Sequence, residues 1–98
     1  MMRTVIETPA FQKQADAVWT TQEREAFIDF IAENPDAGDV IPGADGARKV
    51  RWQRQGTGKR GGARVIYFHL AGDEIVLLVM VYAKAKRTSV KPREIERS

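Results

Sequence analysis

The chain contains no cysteine, so disulfides, thiol nucleophiles and thiolate metal sites are excluded at the outset. It holds a single histidine, His69, which excludes any multi-histidine metal centre. Long apolar runs are missing too. The longest, Ile75 to Ala83, spans nine residues, about half of what a membrane-crossing helix needs. Nothing at the N-terminus reads as a signal peptide, because Arg3 and Glu7 interrupt the only apolar stretch there. A cytoplasmic protein with no membrane partner is therefore expected. Acidic residues are scarce in one half only. Residues 48–98 carry four (Asp73, Glu74, Glu94, Glu96) against 13 basic side chains, a balance of +9. Residues 1–47 reverse this, with nine acidic against three basic side chains, a balance of −6. The overall charge of +3 hides that sorting. A basic surface raised on strands is an electrostatic footprint for a polyanion, with RNA or DNA as the leading candidates.

What is present describes an ordinary globular protein. Ninety-eight residues with 43% hydrophobic and 30% charged content suffice for one domain, residues 1–98, with a single modest core. Arg3 to Glu7 carries β-branched Thr4, Val5 and Ile6 and reads as a short strand. Thr8-Pro9 then marks a helix start, with Thr8 as N-cap and proline at the first helical position. Phe11, Ala15 and Val18 recur at helical spacing. Thr20 and Glu23 stand three apart, as a capping box requires, and open a second helix. Phe27, Ile28, Phe30 and Ile31 supply its buried face, and Asn34-Pro35 stops it.

Residues 36–46 are rich in glycine, proline and aspartate and read as loop, with Val40 and Ile41 tucked beneath it. Three strands follow: Arg48 to Arg54, Ala63 to Leu70, and Glu74 to Lys84, the most apolar and so the one expected at the centre of the sheet. The tail from Pro92 adds at most a short helical turn. The fold class is α+β: an N-terminal strand, a two-helix hairpin, then a three-stranded antiparallel meander with the helices on one sheet face. Val50 and Trp52 would point to the helices, and Lys49 and Arg51 to the other, open face. Trp19 and Trp52 complete apolar periodicities and read as core.

Conventional hydrolytic groups are nearly absent. His69 has no serine or cysteine partner in view and reads as structural. Clustered acids for a metal-dependent nuclease are missing from the basic half, so any catalysis must run on arginine, lysine and tyrosine. That set suffices for RNA, whose 2′-hydroxyl is an internal nucleophile. An enzyme need only align it, stabilise the phosphorane charge and help the 5′-oxygen leave. Three clusters could contribute. The first is the basic strand from Arg48 to Arg54. The second is the tip Gly58-Lys59-Arg60-Gly61-Gly62, which lacks the spacing and following helix of a phosphate-binding loop. In the third, Arg64 opens an otherwise apolar strand, and Tyr82, Lys84 and Lys86 alternate at the end of the last one, with Arg87 just beyond. Strict alternation puts Tyr67 and His69 on the face opposite Arg64.

Read in order, these clusters resemble the HigB-type branch of the RelE/ParE toxin superfamily of bacterial toxin–antitoxin pairs. The matching stretch is GDVIPGADGARKVRWQRQGTGKRGGARVIYFHL (38–70) followed by EIVLLVMVYAKAKRTSV (74–90), and residues 2–37 fit the strand and helix pair that open that fold. The resemblance implies a compact toxin with a basic groove on the sheet face away from its helices, and an N-terminal strand paired with the last one. It implies a ribosome-dependent endoribonuclease that cuts mRNA in the A site, with no metal or other cofactor, leaving a 2′,3′-cyclic phosphate. Carried over by position, Arg51 and Arg64 look like the phosphate-binding and charge-stabilising arginines. Lys84 and Lys86 are similar to basic residues that transfer protons or contact phosphate. Lys49, Arg54, Lys59, Tyr82 and Arg87 would hold RNA. The partners implied are the ribosome with its message and a cognate antitoxin carrying a helix-turn-helix domain, the toxin alone being a monomer. The chain departs from some RelE-type enzymes in one respect: no aromatic residue follows Arg87. A ParE-like inhibitor of DNA gyrase and a nucleic-acid-binding module without activity are the alternatives.

Overall fold

A computed structural model of the chain describes residues 3–52, 62–83, 92 and 95. The sequence of elements is β1 (Thr4–Glu7), α1 (Pro9–Val18), α2 (Thr21–Glu33), β2 (Asp39–Val40), β3 (Arg48–Trp52), β4 (Ala63–Leu70) and β5 (Ile75–Ala83), with a 3-10 turn at Ala71–Asp73 joining the last two strands. They build one five-stranded sheet in the order β1-β5-β4-β3-β2. β1 runs parallel to β5 and every other neighbouring pair is antiparallel. The expected meander is therefore present, with β5 interior to the sheet, and the N-terminal strand makes it mixed.

Both helices begin where their caps place them. The Thr8 hydroxyl accepts from the Phe11 N–H (3.2 Å), with Pro9 in the first turn. At α2 the capping box is complete: Thr20 Oγ1 accepts from Glu23 N (3.2 Å) and Glu23 Oε1 accepts from Thr20 N (2.9 Å). Such a cap stabilises a helix start by about 1 kcal/mol. α2 ends at Asn34, whose backbone and side-chain amides both donate to Phe30 O. Phe11, Ala15, Phe27 and Ile31 from the helices meet Val50, Val65, Tyr67, Val76, Leu78 and Val81 from the sheet. Burying one large apolar side chain contributes roughly 1.5–3 kcal/mol, so this layer dominates the fold's stability. Trp19 stacks obliquely on Phe27 (5.2 Å between centroids), and Trp52 meets both Phe27 (5.5 Å) and Phe30 (4.9 Å). Both tryptophans belong to the core, as expected.

Arg24 fastens the layers together. Its guanidinium bonds Glu7 of β1 (2.7 Å) and Asp16 of α1 (3.2 Å). On the same side of the sheet, the segment after α2 is tied to β4 by Tyr67. Its hydroxyl donates to Pro35 O (2.7 Å) and accepts from Gly38 N (2.9 Å). Gly38 has to be glycine for space: a Cβ there would lie 2.7 Å from the Lys49 carbonyl oxygen.

Three expectations need correction. The loop at 36–46 contains a two-residue strand, β2, because Asp39 and Val40 pair with Lys49 and Arg48. Val40 does not tuck under the loop but stands 55% exposed on this edge strand, while Ile41 is half-buried. The sheet face away from the helices is also not open throughout. Residues 41–47 fold back over it, with Ile41 N donating to Ala47 O (2.8 Å) and Asp45 and Gly46 at positive φ (57° and 94°). Ala44 and Ala47 thereby bury Ile66, Phe68, Val79 and Tyr82 in a second apolar cluster, which Ile95 of the tail joins. In the tail, Ile95 N donates to Pro92 O (3.1 Å). Among the described residues no helix is long and apolar enough to cross a membrane.

Candidate nucleic-acid interface

The strand register decides which cations meet. Arg51 on β3 stands directly opposite Arg64 on β4, and Arg64 stands opposite Tyr82 on β5. Directly paired residues share one face of a sheet. These three thus form a row across it, on the face away from the helices, since Tyr82 packs in the second cluster and their neighbours Val50, Val65 and Val81 pack in the first. The next row on that face is Asp39, Lys49, Ile66 and Met80. Lys49 therefore lies one row from the arginine pair, directly opposite Ile66.

Burial differs sharply along the row. Arg51 is exposed, whereas Arg64 and Tyr82 are each only 8% exposed. An arginine in a largely buried strand is uncommon and calls for a physical reason. Like charges placed directly opposite across two strands destabilise the pair. Salt weakens such repulsion where it screens the exposed Arg51. A phosphate bound across both guanidiniums would convert that repulsion into attraction, and guanidiniums bind phosphate bidentately. Tyr82 offers little ring face for stacking at this exposure, and instead flanks Arg64 at the end of the row.

A β-bulge in β5 is what brings Tyr82 onto this face. Tyr67 pairs with Leu78 while Ile66 pairs with Met80, so Val79 is an additional residue between them. Alternation counted straight through from Leu77, with no bulge, would turn Tyr82 towards the helices and Val81 away from them. The sequence gives no sign of this, since Val79 sits in an unbroken apolar run.

Of the other residues expected to act, Lys84, Lys86 and Arg87 lie outside the described residues, as do Arg54 and Lys59. His69 and Tyr67 lie on the helix-side face, opposite the arginine row, as alternation requires. His69 Nδ1 is 2.9 Å from Asp36 Oδ1, and Arg48 reaches both that oxygen (3.5 Å) and Gly38 O (2.7 Å). The hydrogen bond from His69, aided by the charges of His69, Arg48 and Arg3, holds the Asp36 carboxyl below its ordinary value of 3.8. Burial pushes the Tyr67 phenol above its ordinary 10.0, so it remains a neutral donor. This cluster braces the turn after α2 against the sheet, and nothing in it faces the arginines. Asp36 was not legible as His69's partner because 33 residues separate them.

A shallow hollow of about 420 Å³ lies at the C-terminal end of α2, lined by residues that include Arg3, Phe30, Glu33 and Asp36. Its mixed charge does not match a polyanion. Among the described residues, no three His, Cys, Asp or Glu side chains gather as a metal site would require.

With that geometry in place, the fold's class is clear: two helices on one face of a mixed five-stranded sheet form a RelE-like fold. The chain is similar to a solved structure of the E. coli toxin RelE, a double arginine-to-alanine mutant in the free state. The two superpose with a TM-score of 0.63 over 89% of this chain and 88% of that one, at 14% sequence identity. No protein-family model matches the chain.

Proposed function

We propose that this chain is a toxin of a toxin–antitoxin pair, of the HigB type within the RelE/ParE superfamily, acting as a metal-independent endoribonuclease on mRNA in the ribosomal A site. The observation that carries the reading is the Arg51–Arg64 pair, two guanidiniums held opposite each other on adjacent strands of the face that bears no helix. A scissile phosphate bound across the pair would supply the opposite charge to both.

In the proposed reaction the 2′-oxygen attacks phosphorus and the P–O5′ bond breaks. The 2′ proton passes to a base, and the departing 5′-oxygen takes up a proton, giving a 2′,3′-cyclic phosphate and a 5′-hydroxyl. Arg51, being exposed, would capture the phosphate and align it. Arg64, more deeply set, would stabilise the charge that grows on the phosphorane, where low exposure strengthens each interaction. Lys84 and Lys86 are the proposed proton carriers; crowded cations lower a lysine's pKa, which is the direction a general base needs. Tyr82 flanks Arg64. Lys49, Arg54, Lys59 and Arg87 would grip ribosomal or messenger RNA. The acidic helical half leaves a second, chemically different surface for an antitoxin.

Primer extension on a defined message in programmed ribosomes tests the reading. Wild-type protein should produce codon-phased cuts, and the Arg51→Ala protein should not. Intact message on the ribosomes, with gyrase-dependent DNA breaks in cells expressing the protein, would favour the ParE-like alternative. Intact message and intact DNA would favour binding without activity.

A further inference from the structure

We infer that Thr8 and Gln14 are positioning residues for the arginine site: they hold the β5 bulge that turns Tyr82 to the side of Arg64. The inference rests on the ribonuclease reading for its purpose, though not for its geometry. β1 ends at Glu7, so it covers the edge of β5 only as far as Leu78. Beyond that point no strand among the described residues lies beside β5 on this side, and buried backbone groups require partners.

α1 provides the partners through two side chains. Thr8 sits at the junction of β1 and α1, 5% exposed. Its backbone N–H donates to Leu78 O (3.1 Å), and its hydroxyl lies 3.0 Å from the same oxygen and 3.3 Å from Val79 O. Gln14, nearly two turns along the helix, accepts the Val81 N–H on its Oε1 (3.0 Å). The two contacts bracket the bulge, one at Val79 itself and one two residues later. They satisfy carbonyls and an N–H that a regular strand would present in a different register. Bulges re-aim side chains, and here the consequence is specific. Val81 turns to the helices, and Tyr82 takes its place in the row with Arg64 and Arg51. If the bulge migrated or closed, an isopropyl group would replace the phenol beside Arg64. Thr8 also caps α1, but Gln14 serves no cap, and its bond to Val81 has no role in starting the helix.

The test uses full-length protein carrying Gln14→Met, which keeps length and loses the acceptor, with Gln14→Glu as the conservative variant that retains it. Thr8→Val and Thr8→Ser form a second pair. Two readouts need no activity: nuclear Overhauser contacts between Arg64 and Tyr82 across the strands, and hydrogen exchange at the Val81 amide. In Gln14→Met the contacts should weaken and the amide should exchange at least about 10-fold faster, as expected for an N–H that has lost its partner. In Gln14→Glu both should return towards wild type. On programmed ribosomes, Gln14→Met should cut about 10- to 100-fold more slowly at saturation, the scale of a misplaced catalytic group. Its half-saturating ribosome concentration should not change. Unaltered contacts and exchange in Gln14→Met overturn the clamp. Altered contacts with undiminished cleavage overturn its service to the site. Wild-type protein that cuts no message defeats the ribonuclease reading, and the two spectroscopic readouts still decide the clamp.

Discussion

Replacing Tyr67 by phenylalanine removes one oxygen from the centre of the molecule, and the structure allows its cost to be worked out. Tyr67 is fully buried. Its hydroxyl donates to Pro35 O (2.7 Å) and accepts from Gly38 N (2.9 Å), and both of those residues are buried. Phenylalanine keeps the ring and nearly all of its volume, so the packing penalty is small. What remains is a carbonyl and an N–H stripped of their partner away from water, each costing about 1–3 kcal/mol. The variant should therefore lose about 2–5 kcal/mol, which for a domain of this size is a fall in Tm of roughly 10–30 °C. Urea unfolding checks this through the midpoint, and an unchanged m-value would show that the same transition is being measured. A loss below about 1 kcal/mol would refute the claim that Tyr67 anchors the turn after α2. The turn carries β2, so the variant should also speed amide exchange at Asp39 and Val40. The arginine pair, on the opposite face, should keep its register.

Two further outcomes follow from the electrostatics. The Asp36 carboxyl is depressed by His69, Arg48 and Arg3, so its contribution is present above the unfolded-state pKa and is lost as pH falls through the folded value. Wild type and Asp36→Asn should differ in urea midpoint near neutral pH and converge below 3.8; a constant difference across that range would contradict the assignment. Ribosome affinity should fall steeply as salt rises, because cations binding phosphates release counterions. Arg51→Ala should flatten that slope by about one ion, and a slope unchanged by the substitution would place Arg51 away from RNA.

The parts of this fold legible in the sequence are those fixed by local chemistry. Thr8-Pro9 and the Thr20–Glu23 box mark both helix starts because a cap acts within one turn. The interior place of the last strand followed from its apolar run, and Arg64 stood out because a charge in an apolar run is visible without knowing what surrounds it. β2 escaped notice because two residues in a glycine-rich segment have no period, and only the presence of β3 makes them a strand. The bulge escaped for a different reason: Val79 looks like its neighbours, and the groups that hold it, on Thr8 and Gln14, are about 70 residues distant in sequence. The cover over part of the second face arises from Ala44 and Ala47, residues too small and too isolated to read as core. The sequence thus indicated that basic side chains occupy the face away from the helices, but not that this face is partly covered or that Arg64 is nearly buried.

The most direct test of the central claim is end-group analysis of message recovered from programmed ribosomes after exposure to wild-type or Arg51→Ala protein. Arg51 is exposed, so the variant should fold as wild type does. The account predicts 2′,3′-cyclic phosphate ends from wild type and at least about 100-fold fewer from Arg51→Ala in equal time, the scale of losing one preorganised charge donor. Equal yields from the two proteins would contradict it.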